Sequence, residues 1–247
     1  METGQLVVIL GPNGMGKSTL LGCLAGVLWP QRGFVEFDGV KRRESVAGER
    51  AIRQRLAYMP DESWIPSDMT GREYLVAVGR LYGIDDFRVF EHADKLLALF
   101  HLTEKQDALV SNYSTGQRKK IAIASALITE APYLLLDEPF SGGLDPAGIL
   151  AVKRVLRSLA DDQNVTVVMT TPVPEIIEEL ADRIAVLRDS TVIAYDSPEA
   201  LKRQAGETKL DAALGRLMYP ESVDGIADYC TRHSIPTIND LIGAIEV

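Results

Sequence analysis

Cysteine is scarce in this chain: Cys23 and Cys230 are the only two among 247 residues. They stand at no metal-ligand spacing, which excludes a disulfide scaffold and a cysteine metal site and fits a reducing compartment. Histidine is nearly as rare. His92, His101 and His233 each lack a neighbouring cluster of ligand-type residues, so packing or surface exposure is their expected role. No apolar run approaches the ~20 residues that cross a bilayer, and the opening METGQ has neither a basic stretch nor an apolar core of a leader. The expectation is a cytoplasmic chain with no direct membrane insertion, reaching any membrane through a partner. Positive charge is also in deficit, with 26 Lys and Arg against 35 Asp and Glu and a net charge of -9. That balance argues against a broad basic face and so against nucleic acid as a partner. Two short basic clusters, Lys41-Arg42-Arg43 and Arg118-Lys119-Lys120, read as solvated surface rather than as binding patches.

What is present is an ordinary globular composition, 46% hydrophobic and 25% charged, enough for a sizeable core. Apolar, β-branched runs bounded by turns recur at Leu6–Leu10, Phe34–Phe37, Tyr133–Leu136, Val165–Met169, Ile184–Leu187 and Val192–Tyr195. Helical periodicity fills Lys17–Leu28, Arg72–Tyr82, Val89–Phe100, Gly116–Thr129 and Ala147–Ala160. Strands alternating with helices predict an α/β fold around a mostly parallel sheet. The middle third is almost purely helical and reads as an insertion. The expected division is a core lobe from 1–61 and 132–206, an inserted helical subdomain at 62–131, and a short helical C-terminal extension at 207–247.

The sharpest local signal is "LVVILGPNGMGKSTLLGCLAGVL". Gly11, four residues, then Gly16-Lys17-Ser18 follow a strand and open a helix, the context that a phosphate-binding loop requires. Glycines let successive backbone N–H groups turn toward a β-phosphate, and the helix N-terminus adds a positive dipole end. Gly11, Pro12, Asn13, Gly14, Met15, Gly16, Lys17, Ser18 and Thr19 form the expected cradle for a nucleoside triphosphate. Lys17 meets the β/γ oxygens and Ser18 ligates Mg²⁺. A second landmark, "YLLLDEP", ends an apolar strand in Asp137 and Glu138. Asp137 is placed to hold Mg²⁺, and Glu138, pointing differently, to polarise an attacking water as general base. An Asp-Glu pair alone is as often a solvated turn; beside the phosphate loop the functional reading prevails.

Between these landmarks stands "NYSTGQRKKIAIASALI", in which Ser114 caps a helix whose first turn is small and open to anions. The ordered set "GPNGMGKST", "YSTGQ", "LLLDEP" and "SGGLDP" resembles the nucleotide-binding subunits of ATP-binding cassette (ABC) transporters over residues 4 to 206. Within that family "YMPDESWIPSDMTGREYLVAVGRLYG" looks most like exporter-type subunits that serve a separate membrane permease. The resemblance implies the P-loop NTPase fold of the ABC type and a head-to-tail dimer with a second ABC subunit. ATP would be sandwiched between the phosphate loop of one subunit and Ser114, Gly116 and Gln117 of the other. The helical lobe near 62–100 would dock the permease, with Trp64 and Tyr82 as candidates for that surface, although packing within the lobe accounts for both equally well.

Five departures from the family pattern carry consequences. Pro172, in "MTTPVPEIIEELADRI", falls where the resemblance places a histidine that touches the γ-phosphate and the attacking water; proline offers no side-chain donor and no backbone N–H. Asp61 stands at a usual glutamine, where an acid is able to ligate metal but repels phosphate when metal is absent. Thr115 replaces a glycine of the signature, and "PFSGGLDP" has one glycine more than the usual loop. Finally, the resemblance places an adenine-stacking aromatic about one strand ahead of the phosphate-loop strand, where only Met1 to Gln5 stand here. Two functional expectations follow: an active but slow ATPase subunit, because Lys17, Asp137 and Glu138 remain, or a nucleotide-binding, hydrolysis-poor half of a heterodimeric complex. Soluble P-loop ATPases acting on DNA carry a long coiled coil between the loop and the second acid, and the heptads for one are absent here. The transported substrate and its direction are not written in this sequence.

Overall fold

Apolar residues at both odd and even positions make a strand that must be covered on two faces. Strand β1 (Leu6–Leu10) is buried throughout. Its Leu6, Val8 and Leu10 join one core cluster, while Val7 and Ile9 join another on the opposite face. The computed structural model describes residues 1–219; Cys230, His233 and the remainder of the expected C-terminal extension lie outside the described residues.

In chain order, helix α1 (Lys17–Ala25) follows β1, then a short antiparallel hairpin of β2 (Glu36–Phe37) and β3 (Val40–Lys41). Helix α2 (Val46–Gln54) leads into β4 (Leu56–Met59). The regular elements between β4 and β5 (Tyr133–Leu136) are helical: α3 (Gly71–Leu81), α4 (Asp86–Leu99) and α5 (Thr115–Leu127), with short 3₁₀ turns before α5. Helix α6 (Pro146–Gln163), strand β6 (Thr166–Thr170), helix α7 (Pro174–Leu180), strands β7 (Arg183–Arg188) and β8 (Thr191–Asp196), and helices α8 (Pro198–Ala205) and α9 (Leu210–Met218) complete the described chain.

The main sheet has the order β4-β5-β6-β1-β7-β8, parallel except where β8 pairs antiparallel with β7. Helix α1 lies over β4 and β5 on one face, burying Leu21 against Val7, Leu135 and Val168. The other face packs on α6 and continues without a break into the helical segment through Leu75, Val89, Phe100, Ile121 and Ile123. Each such fully buried leucine or isoleucine stabilises the fold by about 1.5–3 kcal/mol. Phosphate-binding loops sit at the carboxyl ends of parallel strands, where helix N-termini converge, and this topology brings the ends of β1, β4, β5 and β6 to one edge.

The observed elements differ from the sequence expectations in detail. Strand β4 was absent from them, because four residues without a preceding glycine or proline give little periodicity. The run from Phe34 shortens to a two-residue strand, since Phe34 stays exposed. Helix α1 ends at Ala25, three residues earlier than its apolar pattern suggested, because Gly26 adopts φ 76° and donates to Cys23 and Gly22 carbonyls, closing the helix.

Candidate functional site

The loop from Gly11 to Gly16 folds as its glycines dictate. Gly14 and Gly16 take φ 80° and 92°, a conformation that disfavours side chains. A Cβ on either would meet nothing within 4 Å, so the inner side of the turn is open space. Gly11 is fixed differently: a Cβ there would come 2.6 Å from the Leu187 carbonyl oxygen of β7. Lys17 Nζ donates to the carbonyls of Gly11 at 2.8 Å and Pro12 at 3.1 Å, bending its ammonium back over the loop. Ser18 and Thr19 are exposed in the first turn of α1, and Gly16 caps that turn without a side chain. Bare N–H groups and a positive helix end therefore lie at the loop.

Asp137, only 3% exposed, sits one residue beyond β5, its N–H bonded to the Met59 carbonyl at the end of β4. Thr170, at the end of β6, donates its hydroxyl to Asp137 Oδ1 at 2.6 Å and accepts the Glu138 N–H at 2.8 Å. One buried hydroxyl thus ties the Asp137 carboxylate to the Glu138 backbone. Glu138 takes φ 47°, an unusual conformation for a non-glycine residue. Sequence reasoning missed Thr170; a polar residue ending an otherwise apolar strand was the available signal, masked by threonine's ordinary β-propensity. Burial pushes the Tyr58 phenol upward from its usual pKa, and the charge of Asp137 adds to it.

The signature segment forms a full capping box. Gln117 N–H donates to Ser114 Oγ and the Gln117 side chain accepts the Ser114 N–H. Thr115 occupies the first helical position without strain, so its replacement of glycine costs the helix nothing. Gly116 does require glycine, because a Cβ there would lie 2.5 Å from the Gly143 carbonyl oxygen. The loop with the additional glycine passes directly over the start of α5, using φ 81° and 78° at Gly142 and Gly143. Asp145 then caps α6 through the Gly148 N–H. The hydrogen bond from Lys120 holds the Asp145 carboxyl below the usual carboxylate range, and the Gly148 N–H bond reinforces it.

Two basic clusters are corrected by the structure. Lys119 and Lys120 are buried, not solvated, at 7% and 6% exposure; Lys119 meets Asp61 at 3.3 Å and Lys120 meets Asp145 at 3.0 Å. Arg42 is buried against Glu49, while Arg43 stacks over Trp29 and Lys41 over Phe34. Burial is possible because each cation finds an acid, a carbonyl or an aromatic face. Asp61, the third expected metal ligand, has its Oδ1 engaged by Lys119 and by Ser141 Oγ at 3.0 Å. His92 lies 3.3 Å from Glu130 Oε1 but is not aligned for a hydrogen bond, and burial lowers its pKa. Pro172 is exposed, immediately beyond buried Thr170 and Thr171. Tyr82 is committed to packing, donating to the Leu56 carbonyl, whereas Trp64 is 83% exposed.

The donor set suits Mg²⁺. Hard oxygen ligands, a first-turn hydroxyl at Ser18 and a carboxylate at Asp137, are what this ion takes when substrate phosphates and water complete its shell. Among the described residues no cluster of three or more His, Cys, Asp or Glu forms a metal cage, and none is required for an ion held largely by phosphates.

The profile described as ABC transporter matches residues 1–141. The chain is 36% identical over 211 residues to a daunorubicin resistance ATP-binding protein, DrrA3, of Streptomyces coeruleorubidus, covering 85% of this chain and 65% of that one. It is 35% identical over 214 residues to a daunorubicin/doxorubicin resistance ATP-binding protein, DrrA, of Streptomyces peucetius, covering 87% and 63%. The chain thus spans somewhat less than two thirds of these relatives' lengths. A solved ATP-binding subunit of an ABC transporter superposes with a TM-score of 0.80 at 26% identity, over 87% of this chain and 89% of that one.

Proposed function

The chain belongs to the ABC transporter family, and from that premise we propose that it is an ATP-binding and ATP-hydrolysing subunit that drives a separate membrane permease through ATP-dependent closure of a dimer. One observation carries the reading: a single buried hydroxyl, Thr170, links Asp137 and Glu138 at the edge of the sheet where the open glycine cradle also lies. The N–H groups of Gly11 to Thr19 and the Lys17 ammonium bind the phosphates. When bound, Mg²⁺, held by Ser18 and Asp137, offsets phosphate charge. Glu138 takes the proton from the attacking water. Ser114, Gly116 and Gln117 present the N-terminus of α5 to the nucleotide of the second ABC subunit, whether an identical chain or a different one.

The core of 1–61 and 132–206 forms the nucleotide lobe in this reading, and 62–131 the signature subdomain that touches the permease. A groove of about 450 Å³ on α3 and α4, lined by Met69, Val76, Arg80 and Phe90, supports docking there, flanked by exposed Leu81 and Phe87. Among the described residues no helix is long and apolar enough to cross a membrane. In this reading the subunit is held at the cytoplasmic side of the membrane by its permease.

Steady-state phosphate release from the purified chain with Mg²⁺ and ATP, beside Glu138→Gln, tests the proposal. The expected result is turnover that rises more than linearly with protein concentration and falls about 100-fold or more in the variant. Equal turnover in the two proteins would sink the assignment. Pro172, exposed where a histidine is expected, favours the hydrolysis-poor regulatory half as a second reading; ATP binding without turnover would select it.

A further inference from the structure

Successive residues on an α-helix point about 100° apart, so the adjacent lysines of α5 reach different neighbours. Lys120 goes to Asp145, at the start of α6. Lys119 goes to Asp61, just past β4, donating to both the carbonyl and Oδ1 at 3.3 Å. The Lys119 stem runs alongside Gly142, whose Cβ position would lie 3.5 Å from Lys119 Cδ. Asp61 Oδ1 is in turn 3.0 Å from Ser141 Oγ. Ser141 closes back on the Glu138 carbonyl through Oγ at 2.9 Å and N–H at 3.1 Å. A continuous chain, Lys119 to Asp61 to Ser141 to Glu138, therefore links the signature helix, the end of β4 and the turn bearing the general base within one subunit.

Two physical problems meet at this point. An aspartate beside the carboxyl ends of β4 and β5 adds negative charge where phosphates bind, and Glu138 must hold an unfavourable φ of 47°. Half of the Asp61 side chain is exposed, while that of Lys119 is 7% exposed. The cation is thus the fixed member, and the acid is drawn toward it.

We propose that Lys119 is a positioning residue: it clamps Asp61 against Ser141, cancels the acid's charge toward the nucleotide, and steadies the turn that carries Glu138. This rests on the ATPase reading above. It also predicts that Asp61 serves as the lysine's counter-ion rather than as a metal ligand.

Lys119→Met exposes the unpaired Asp61 charge. ATP binding measured without Mg²⁺ should weaken about tenfold, with a smaller loss when Mg²⁺ is present. Turnover should fall about tenfold at a KM for MgATP within about threefold of wild type. Lys119→Arg should keep wild-type behaviour, and Lys119→Met with Asp61→Asn should recover most of the Mg²⁺-free affinity. Ser141→Ala removes the last link without stranding a charge, so turnover should fall with ATP affinity unchanged, which covers the case of a poorly folded Lys119→Met. Unaltered Mg²⁺ dependence in Lys119→Met, or a double variant in which the two single losses simply multiply, would overturn the proposal. So would full turnover in Ser141→Ala. A wild-type chain that fails to bind ATP would instead sink the functional reading itself. If wild type binds but does not turn over, the Mg²⁺-free affinities of the single and double variants decide.

Discussion

Strands β5 and β6 pair in parallel register and end at the same edge, yet they bring different things to it. Strand β5 is followed by two acids, one almost fully buried and the next held at a positive φ. Strand β6 ends in Thr170, is followed by buried Thr171, and then exposes Pro172. The sheet positions both ends equally well, because position comes from backbone pairing and from side chains packed further down each strand. Chemistry depends on the residue that the strand happens to present. The two ends are also linked: the Thr170 hydroxyl at the end of β6 bonds the Asp137 carboxylate and the Glu138 N–H that follow β5.

The largest test leaves both strands intact and removes the cation between them and the phosphates. Lys17→Ala should weaken ATP binding by about 100-fold or more, measured by titration with a fluorescent nucleotide; retained affinity would show that the cradle binds something else. Thr170→Val cuts the link between the two strand ends with little change of shape. It strands a buried carboxylate oxygen and the Glu138 N–H, so chemical denaturation should show a loss of about 1–3 kcal/mol, with turnover falling alongside. Unchanged turnover would mean that Asp137 and Glu138 are held by the backbone alone. The smallest effect is expected from Pro172→His, which places a side-chain donor just beyond β6, where the proline offers none. Stability should stay within about 0.5 kcal/mol at this exposed position, while phosphate release rises by up to about tenfold. No gain would mean that the water is aligned by another group.

Much of this arrangement was legible before the fold was known. Gly11 to Ser18 announce themselves because a phosphate loop is built from consecutive residues, and Asp137 with Glu138 follow an unmistakable apolar strand. Other parts were hidden for identifiable reasons. Thr170 looked like any strand threonine until β6 was seen beside β5. Lys119 and Lys120 looked like solvated charge, since nothing local reveals acids 58 and 25 positions away. The additional glycine of "SGGLDP" had no evident use until Gly143 was found lying over Gly116.

What the sequence determined by itself was whatever short-range stereochemistry controls: glycines that permit positive φ, Ser114 and Asp145 as helix caps, and strands apolar enough to be buried on two faces. What only the tertiary structure decided was which distant groups face one another. Thr170 meets Asp137 across 33 positions because α6 returns the chain to lay β6 beside β5. Lys119 is able to be a buried cation only because β4 ends where α5 begins. Pairings of that kind are set by the packing of whole elements, and no local pattern encodes them.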